Sequence, residues 1–212
     1  MSAPPGTSRW VTLPDHVSEA DDALPRGFRA AGVACGLKPS GGADLGVLVS
    51  DAPDTVSAAR FTRSGVLAAP VVLCQERCRL DGLRAVVANS GNANAATGRR
   101  GIDDAAKMQG AAGMAVGVDP EYVAVASTGV IGVPLPTDPI VKGVLAARGE
   151  LSADGAEAFG EAIRTTDLFP KRASVHVTLS GGSVRVAAQA KGAGMTRRAS
   201  RRCCASSRPT RP

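Results

Sequence analysis

Aromatic side chains are scarce: one Trp, one Tyr and four Phe make up 3% of the 212 residues. Single-stranded nucleic acids are held by aromatic platforms interleaved with cations, and this chain has almost none to offer. Histidine is scarcer still. His16 lies in a polar leader segment and His176 sits alone in a predicted strand, so no Ser/His/Asp or Cys/His arrangement can be assembled. No apolar run is long enough to span a bilayer. The first 24 residues carry Asp15, Glu19, Asp21 and Asp22 and lack the apolar stretch of a signal peptide. The chain reads as cytoplasmic, with no membrane partner. Its cysteines number five, an odd count without paired spacing, which fits a reducing compartment. Cys74 and Cys78 have no neighbouring histidine to complete a tetrahedral site, so no metal is expected. Lys191-Gly192-Ala193-Gly194 lacks the full phosphate-loop pattern, and no cofactor is expected either.

What is present is an Ala/Val/Gly-rich globular composition, 44% hydrophobic with 25 glycines and 14 prolines. The formal charge of +6 is unevenly placed. Arg197, Arg198, Arg201, Arg202, Arg208 and Arg211 all follow Met195 with no acid among them, so residues 1–195 are balanced. The body therefore gives no electrostatic reason to expect a nucleic-acid partner.

Three regions follow from composition: residues 1–24, polar and expected to be frayed; residues 25–195, the folded domain; and residues 196–212, an aberrant basic tail. Order is expected to begin near Gly27. Short apolar runs on either side of Asp51-Ala52-Pro53-Asp54 predict a hairpin within 43–63. Arg84 to Ala88 and Tyr122 to Ala126 read as buried strands, each delivering a polar loop to one edge of a sheet. Helical spacing covers Asp103 to Val116, and Ser152 is a candidate N-cap for a second helix through Phe159 and Ile163. Ser180-Gly181-Gly182 joins two further strands as a hairpin. Layered sheets and helices of an α+β fold account for this pattern.

Four segments concentrate small polar groups where strands or helices end. Asn89 to Gly98 holds three asparagines and reads chiefly as a structural loop. In Ser127-Thr128-Gly129, a hydroxyl and a backbone amide could both be aimed at a developing oxyanion, or form an ordinary turn. Thr165-Thr166-Asp167 precedes a proline, as a helix stop with a capping Asp would. Lys191, between small residues, suits a carboxylate or phosphate.

In this order these segments resemble the ornithine acetyltransferases, or glutamate N-acetyltransferases, of arginine biosynthesis. The resemblance runs from GFRAAGVACGLKPSG through AARFTRSGVLAAPV, VVANSGNANAATG, ASTGVIGVPLP and TTDLFPK to AKGAGM. It implies the N-terminal half of an N-terminal-nucleophile-like fold, in which a precursor cuts itself before a threonine and the freed threonine attacks. It implies an enzyme acting on small molecules: acetyl passes from N2-acetylornithine to glutamate through an acetyl-threonine, with acetyl-CoA left open as a second donor. By the resemblance, Thr128 and Gly129 form the oxyanion hole and Thr165 and Lys191 bind substrate. The β chain of the same precursor is the implied partner, in an α2β2 heterotetramer. Leu168 departs from the family, which commonly has threonine there.

The larger departure follows Met195. The family's nucleophilic threonine is the eleventh residue after the lysine, and Arg202 stands in that place. Residues 196–212 can be encoded so that one inserted base after ATG A gives Met-Ile-Ala-Pro-Gly-Val-Ala-Thr-Met-Leu, which restores threonine at that spacing. A one-base deletion is the expectation, and with it a chain inactive alone. Two alternatives stand beside it: a non-catalytic partner of a separate β chain, or a related aminopeptidase or secondary-metabolism acyltransferase.

Overall fold

The structure is a computed structural model and describes residues 12–193 together with the backbone of residues 203–207. Two four-stranded sheets organise it. The first has the order β2 (Phe28–Val33), β3 (Leu45–Ser50), β4 (Ala85–Asn92) and β5 (Val123–Val130), with β4 and β5 parallel and the other pairs antiparallel. The second runs β1 (Val17–Glu19), β6 (Lys171–Leu179), β7 (Gly182–Ala190) and β8 (Cys203–Ser207), all antiparallel. The helices are α1 (Ala69–Arg77), α2 (Gly98–Val116), α3 (Thr137–Glu150) and α4 (Ala156–Ile163). This mixture of helices and two sheets is the α+β class expected.

Strand β3 shows how the layers arise. Its side chains alternate between faces. Leu45, Val47 and Val49 enter the main core with Leu73 of α1, Met108 of α2 and Ile140 and Val144 of α3. Gly46 and Leu48 face α4 instead, and α4 lies close because glycine permits it. Gly46 is paired with Gly32 of β2. A Cβ on Gly32 would lie 1.9 Å from the Ala158 carbonyl oxygen, and one on Gly46 would lie 2.8 Å from the Phe159 ring. On its far side α4 meets the second sheet: Gln189 Nε2 donates to the Ala156 carbonyl at 2.8 Å.

Strand β5 is an edge of its sheet, and α1 closes that edge with sulfur. The Val125 amide donates to Cys74 Sγ at 3.3 Å, and the Cys74 thiol lies 3.4 Å from the Val125 carbonyl. The Val123 carbonyl accepts from Gln109 Nε2 at 2.8 Å and from the Cys78 thiol at 3.3 Å. Main-chain groups that would otherwise template aggregation are thereby satisfied.

Several expectations are corrected. The 1–24 segment, expected to be frayed, supplies β1: its strand pairs with β6, and Asp21 and Asp22 form ion pairs with Arg185 and Arg172. Polar composition hides such anchoring, which rests on backbone bonds and charges; residues 1–11 lie outside the described set. The hairpin expected within 43–63 does not form, because β3 pairs with β2 and β4 and residues 55–63 run without strand structure. Ser152 is not the N-cap of α4: Gly155 is, while Ser152 exchanges backbone hydrogen bonds with Ala30 at 2.9 and 3.0 Å. In the tail, β8 pairs by its backbone with β7, and the rest of residues 194–212 lies outside the described set.

Two outcomes are expected. Gly32→Ala forces α4 off the sheet, and urea unfolding should show a loss of about 1 to 3 kcal/mol. Cys74→Ala leaves the Val125 amide buried without its acceptor, a cost of about 1 to 3 kcal/mol. Hydrogen exchange should show that amide, more than those of β3, losing protection.

Candidate active site

The parallel pair β4 and β5 ends in two polar corners, and α2 provides the crossover between them. Ligands in open sheets gather at such carboxyl ends. Ser90 pairs with Thr128 and Gly91 with Gly129, after which a bulge at Asn92 splays the strands. The approach is too close for side chains: a Cβ on Gly129, whose φ is +138°, would lie 2.3 Å from the Gly91 carbonyl carbon. Glycine is required there by both conformation and space.

The asparagine loop after β4 folds on itself. Asn89 Nδ2 donates to the Asn92 carbonyl at 2.9 Å, and Asn92 Nδ2 reaches the Val133 and Pro134 carbonyls at 3.1 and 3.2 Å. Asn94, at φ +46°, donates from Nδ2 to the Gly101 carbonyl at 2.8 Å and accepts from the Thr97 hydroxyl. All three asparagines are buried. Their work is structural: they fix the path of the chain that leaves the site and tie it to the Val133-Pro134 turn after β5.

Three of the sequence's candidate residues converge. Lys191, immediately after β7, directs its ammonium to Thr128 Oγ1 at 2.5 Å and to Thr165 Oγ1 at 2.9 Å. An ammonium only donates, so both hydroxyls accept from it, and each keeps its own proton for another acceptor. Gly129 adjoins Thr128 at the exposed end of β5. Burial pushes the Lys191 ammonium below the usual lysine value; Asp167 opposes this shift and Lys171 adds to it.

The residues that sequence reasoning missed lie behind Lys191. Asp167, 6% exposed, accepts at Oδ1 from the Gly192 amide at 2.8 Å and from the Lys171 ammonium. Lys171 also donates to the Gly192 carbonyl at 2.8 Å. Burial works against ionisation of Asp167, but the bonds from Lys171 and the Gly192 amide outweigh it and hold the carboxyl below the usual carboxylate range. The available signal was the spacing of Asp167 and Lys171 around Pro170, which reads equally well as a helix stop. Leu168, beside this group, is 93% exposed. A groove of about 480 Å³ lined by Arg100, Asp104, Lys107 and Thr137 lies between α2 and α3 and contains none of these residues. Among the described residues, no group of three or more His, Cys, Asp or Glu could hold a metal ion, and no helix is long and apolar enough to cross a membrane.

Known proteins carry the same fold. The model of the ArgJ family matches residues 29–199. The arginine biosynthesis bifunctional protein ArgJ of Symbiobacterium thermophilum is 48% identical over 173 residues, which cover 81% of this chain and 43% of the relative. That of Bacillus anthracis is 43% identical over 180 residues, 84% of this chain and 44% of the relative. The chain thus spans less than half the length of these curated relatives. Among solved structures, ArgJ from Bacillus halodurans superposes with a TM-score of 0.77 at 38% identity, covering 89% of this chain and 98% of that one. The ornithine acetyltransferase of Mycobacterium tuberculosis, complexed with ornithine, does so with a TM-score of 0.78 at 37% identity, covering 89% and 100%. With a family model matched over most of its length and relatives this similar in both sequence and fold, the chain belongs to the ArgJ family.

Proposed function

We propose that this chain is the front half of an acetyltransferase that moves acetyl from N2-acetylornithine to glutamate in the cytoplasm, and that it lacks the half bearing the nucleophile. The observation that carries this reading is the single ammonium of Lys191 on both Thr128 and Thr165. Two of its three protons are taken by hydroxyls, leaving one for a substrate carboxylate. The Thr128 hydroxyl, made a donor by that contact, stands beside the Gly129 amide. Such a pair can stabilise a tetrahedral oxyanion, at about 3 to 4 kcal/mol per donor.

In the complete enzyme, the hydroxyl oxygen of a new N-terminal threonine attacks the acetyl carbonyl while its own α-amino group takes the hydroxyl proton. An α-amino pKa of about 8 suits that exchange at neutral pH. The tetrahedral intermediate collapses to acetyl-threonine as the C–N bond breaks, and the proton passes to departing ornithine. Glutamate's amine then attacks the ester, giving N-acetylglutamate and the free threonine. Thr128 and Gly129 hold the oxyanion in both halves, and Thr165 and Lys191 anchor the substrate.

In this reading residues 25–195 are the first-chain domain, residues 196–212 are out of frame, and the attacking threonine belongs where Arg202 stands. The partner is the second chain of the same precursor, assembled as α2β2. Two observations support a separate piece of this size. The solved chains are covered along 98% and 100% of their length. Around the cluster, Val130, Ile131, Leu168 and Phe169 expose apolar surface of the kind a missing half would cover.

Purified 212-residue chain should show no acetyl transfer from N2-acetylornithine to glutamate, while the gene with one base restored after ATG A should yield a two-chain enzyme that turns over. Turnover by the 212-residue chain at the rate of the restored enzyme overturns the reading. In the restored enzyme, Thr128→Ala should lower kcat by about 100- to 1,000-fold, measured at saturating substrate; an unchanged kcat removes Thr128 from the oxyanion hole.

A further inference from the structure

Thr128, Thr165 and Lys191 come from three separate segments, and a lysine at a strand end has four rotatable bonds through which to miss two hydroxyls. Something holds the main chain at that point. Gly192, next to Lys191, has φ +134°, a conformation that favours glycine and does not by itself choose one path. Both of its peptide groups are gripped: its amide by Asp167 Oδ1, its carbonyl by Lys171, and Lys171 closes the ring on the same carboxylate. Arg164, from the end of α4, donates to the Asp167 carbonyl at 3.4 Å and pairs with Glu161. The α4–β6 loop that presents Thr165 and the strand end that presents Lys191 are therefore pinned at one carboxylate.

We propose that Asp167 is the positioning residue of this site, holding Gly192 and Lys171 so that the Lys191 ammonium is fixed between Thr128 and Thr165. The proposal rests on Lys191 being the site's cation, and does not require that the chemistry be acetyl transfer. Asp167 Oδ2 has no hydrogen-bond partner among the described residues, so its charge is not fully spent on the clamp. It lies near enough to Lys191 to favour the ammonium form, against burial and against the Lys171 charge. Farther out, Lys38 is itself influenced by Lys191; it bonds to the Ala43 and Glu161 carbonyls, and Asp44 and the Arg164–Glu161 pair are the charges that act on it. Asp167 is the carboxylate acting on Lys191 most strongly.

A helix-stop role for Asp167 and a positioning role differ in what Lys191 feels. The chain has five lysines, so 13Cε-lysine labelling resolves each in an NMR pH titration of the ligand-free 212-residue chain, with Lys191→Arg as the assignment control. Asp167→Asn keeps an oxygen for the Gly192 amide but removes the charge, and the Lys191 midpoint should move down. Lys171→Gln removes the competing cation, and the midpoint should move up. Opposite movements show that both charges act on Lys191, and loss in Asp167→Ala of the nuclear Overhauser contacts between the Lys191 ε-methylene and the Thr128 and Thr165 methyls, which Asp167→Asn keeps, establishes the positioning. Contacts that survive in Asp167→Ala, or a Lys191 midpoint that is unmoved in Asp167→Asn, overturn it. Should the Asp167 variants fail to fold, Lys171→Gln decides by the same contacts: their weakening supports the clamp, and unchanged contacts overturn it. Acetyl transfer enters none of these measurements, so failure of the acetyl-transfer reading leaves a different signature from failure of this one.

Discussion

One ammonium joins the two sheets at the carboxyl end of β5. Lys191 leaves the end of β7 in one sheet and bonds to Thr128 on β5 in the other and to Thr165 at the exit of α4. Around it the design is one of restraint. Gly32 and Gly46 let α4 lie against the first sheet, Gln189 ties α4 to the second, and the Asp167 carboxylate grips the strand end. Without the glycine floor, α4 would stand off and carry Thr165 with it. Restraint of this kind is what positioning demands, since a displacement of about 1 Å can cost a hundredfold in rate.

The site residues could be read in the sequence because each lies in a short string that ends a strand or helix. Thr128-Gly129 and Lys191 stand out by residue type and by place, whereas Thr165 is singled out by the family resemblance, its own string reading as a helix stop. Their convergence could not be read, because it depends on how two sheets and a helix stack, and no local spacing encodes that. Asp167 illustrates the limit. It was visible in Thr165-Thr166-Asp167, yet an aspartate before a proline has an ordinary local explanation, and only the contact with Gly192, far along the chain, gives it another.

The fold was legible where periodicity was strong and dim where packing replaced it. The β6–β7 hairpin and the strands at Ala85 and Val123 appeared as expected. Helices α1 and α3 did not, since the nine residues of one are too few to show a period and the buried stripe of the other includes Gly143 and Ala147 beside Ile140 and Val144. Helix α2 begins at Gly98, five residues before Asp103, through the polar stretch Gly98-Arg99-Arg100-Gly101, which carries no apolar spacing. Strand β2 holds Arg29, Ala30, Ala31 and Gly32, poor in branched side chains, and forms because β3 offers it a partner and α4 covers it.

Two lysines crowd a single buried carboxylate behind the threonines, with a third, Lys38, close by. The neighbourhood is consequently cationic on balance, and a small anion arriving there lowers the self-energy of the whole group as well as meeting one side chain. Attraction of that sort reaches through water for about 8 to 10 Å at moderate ionic strength and fades as salt rises. The pull on any acidic molecule that approaches this corner is therefore governed partly by the solution around it, before any hydrogen bond forms.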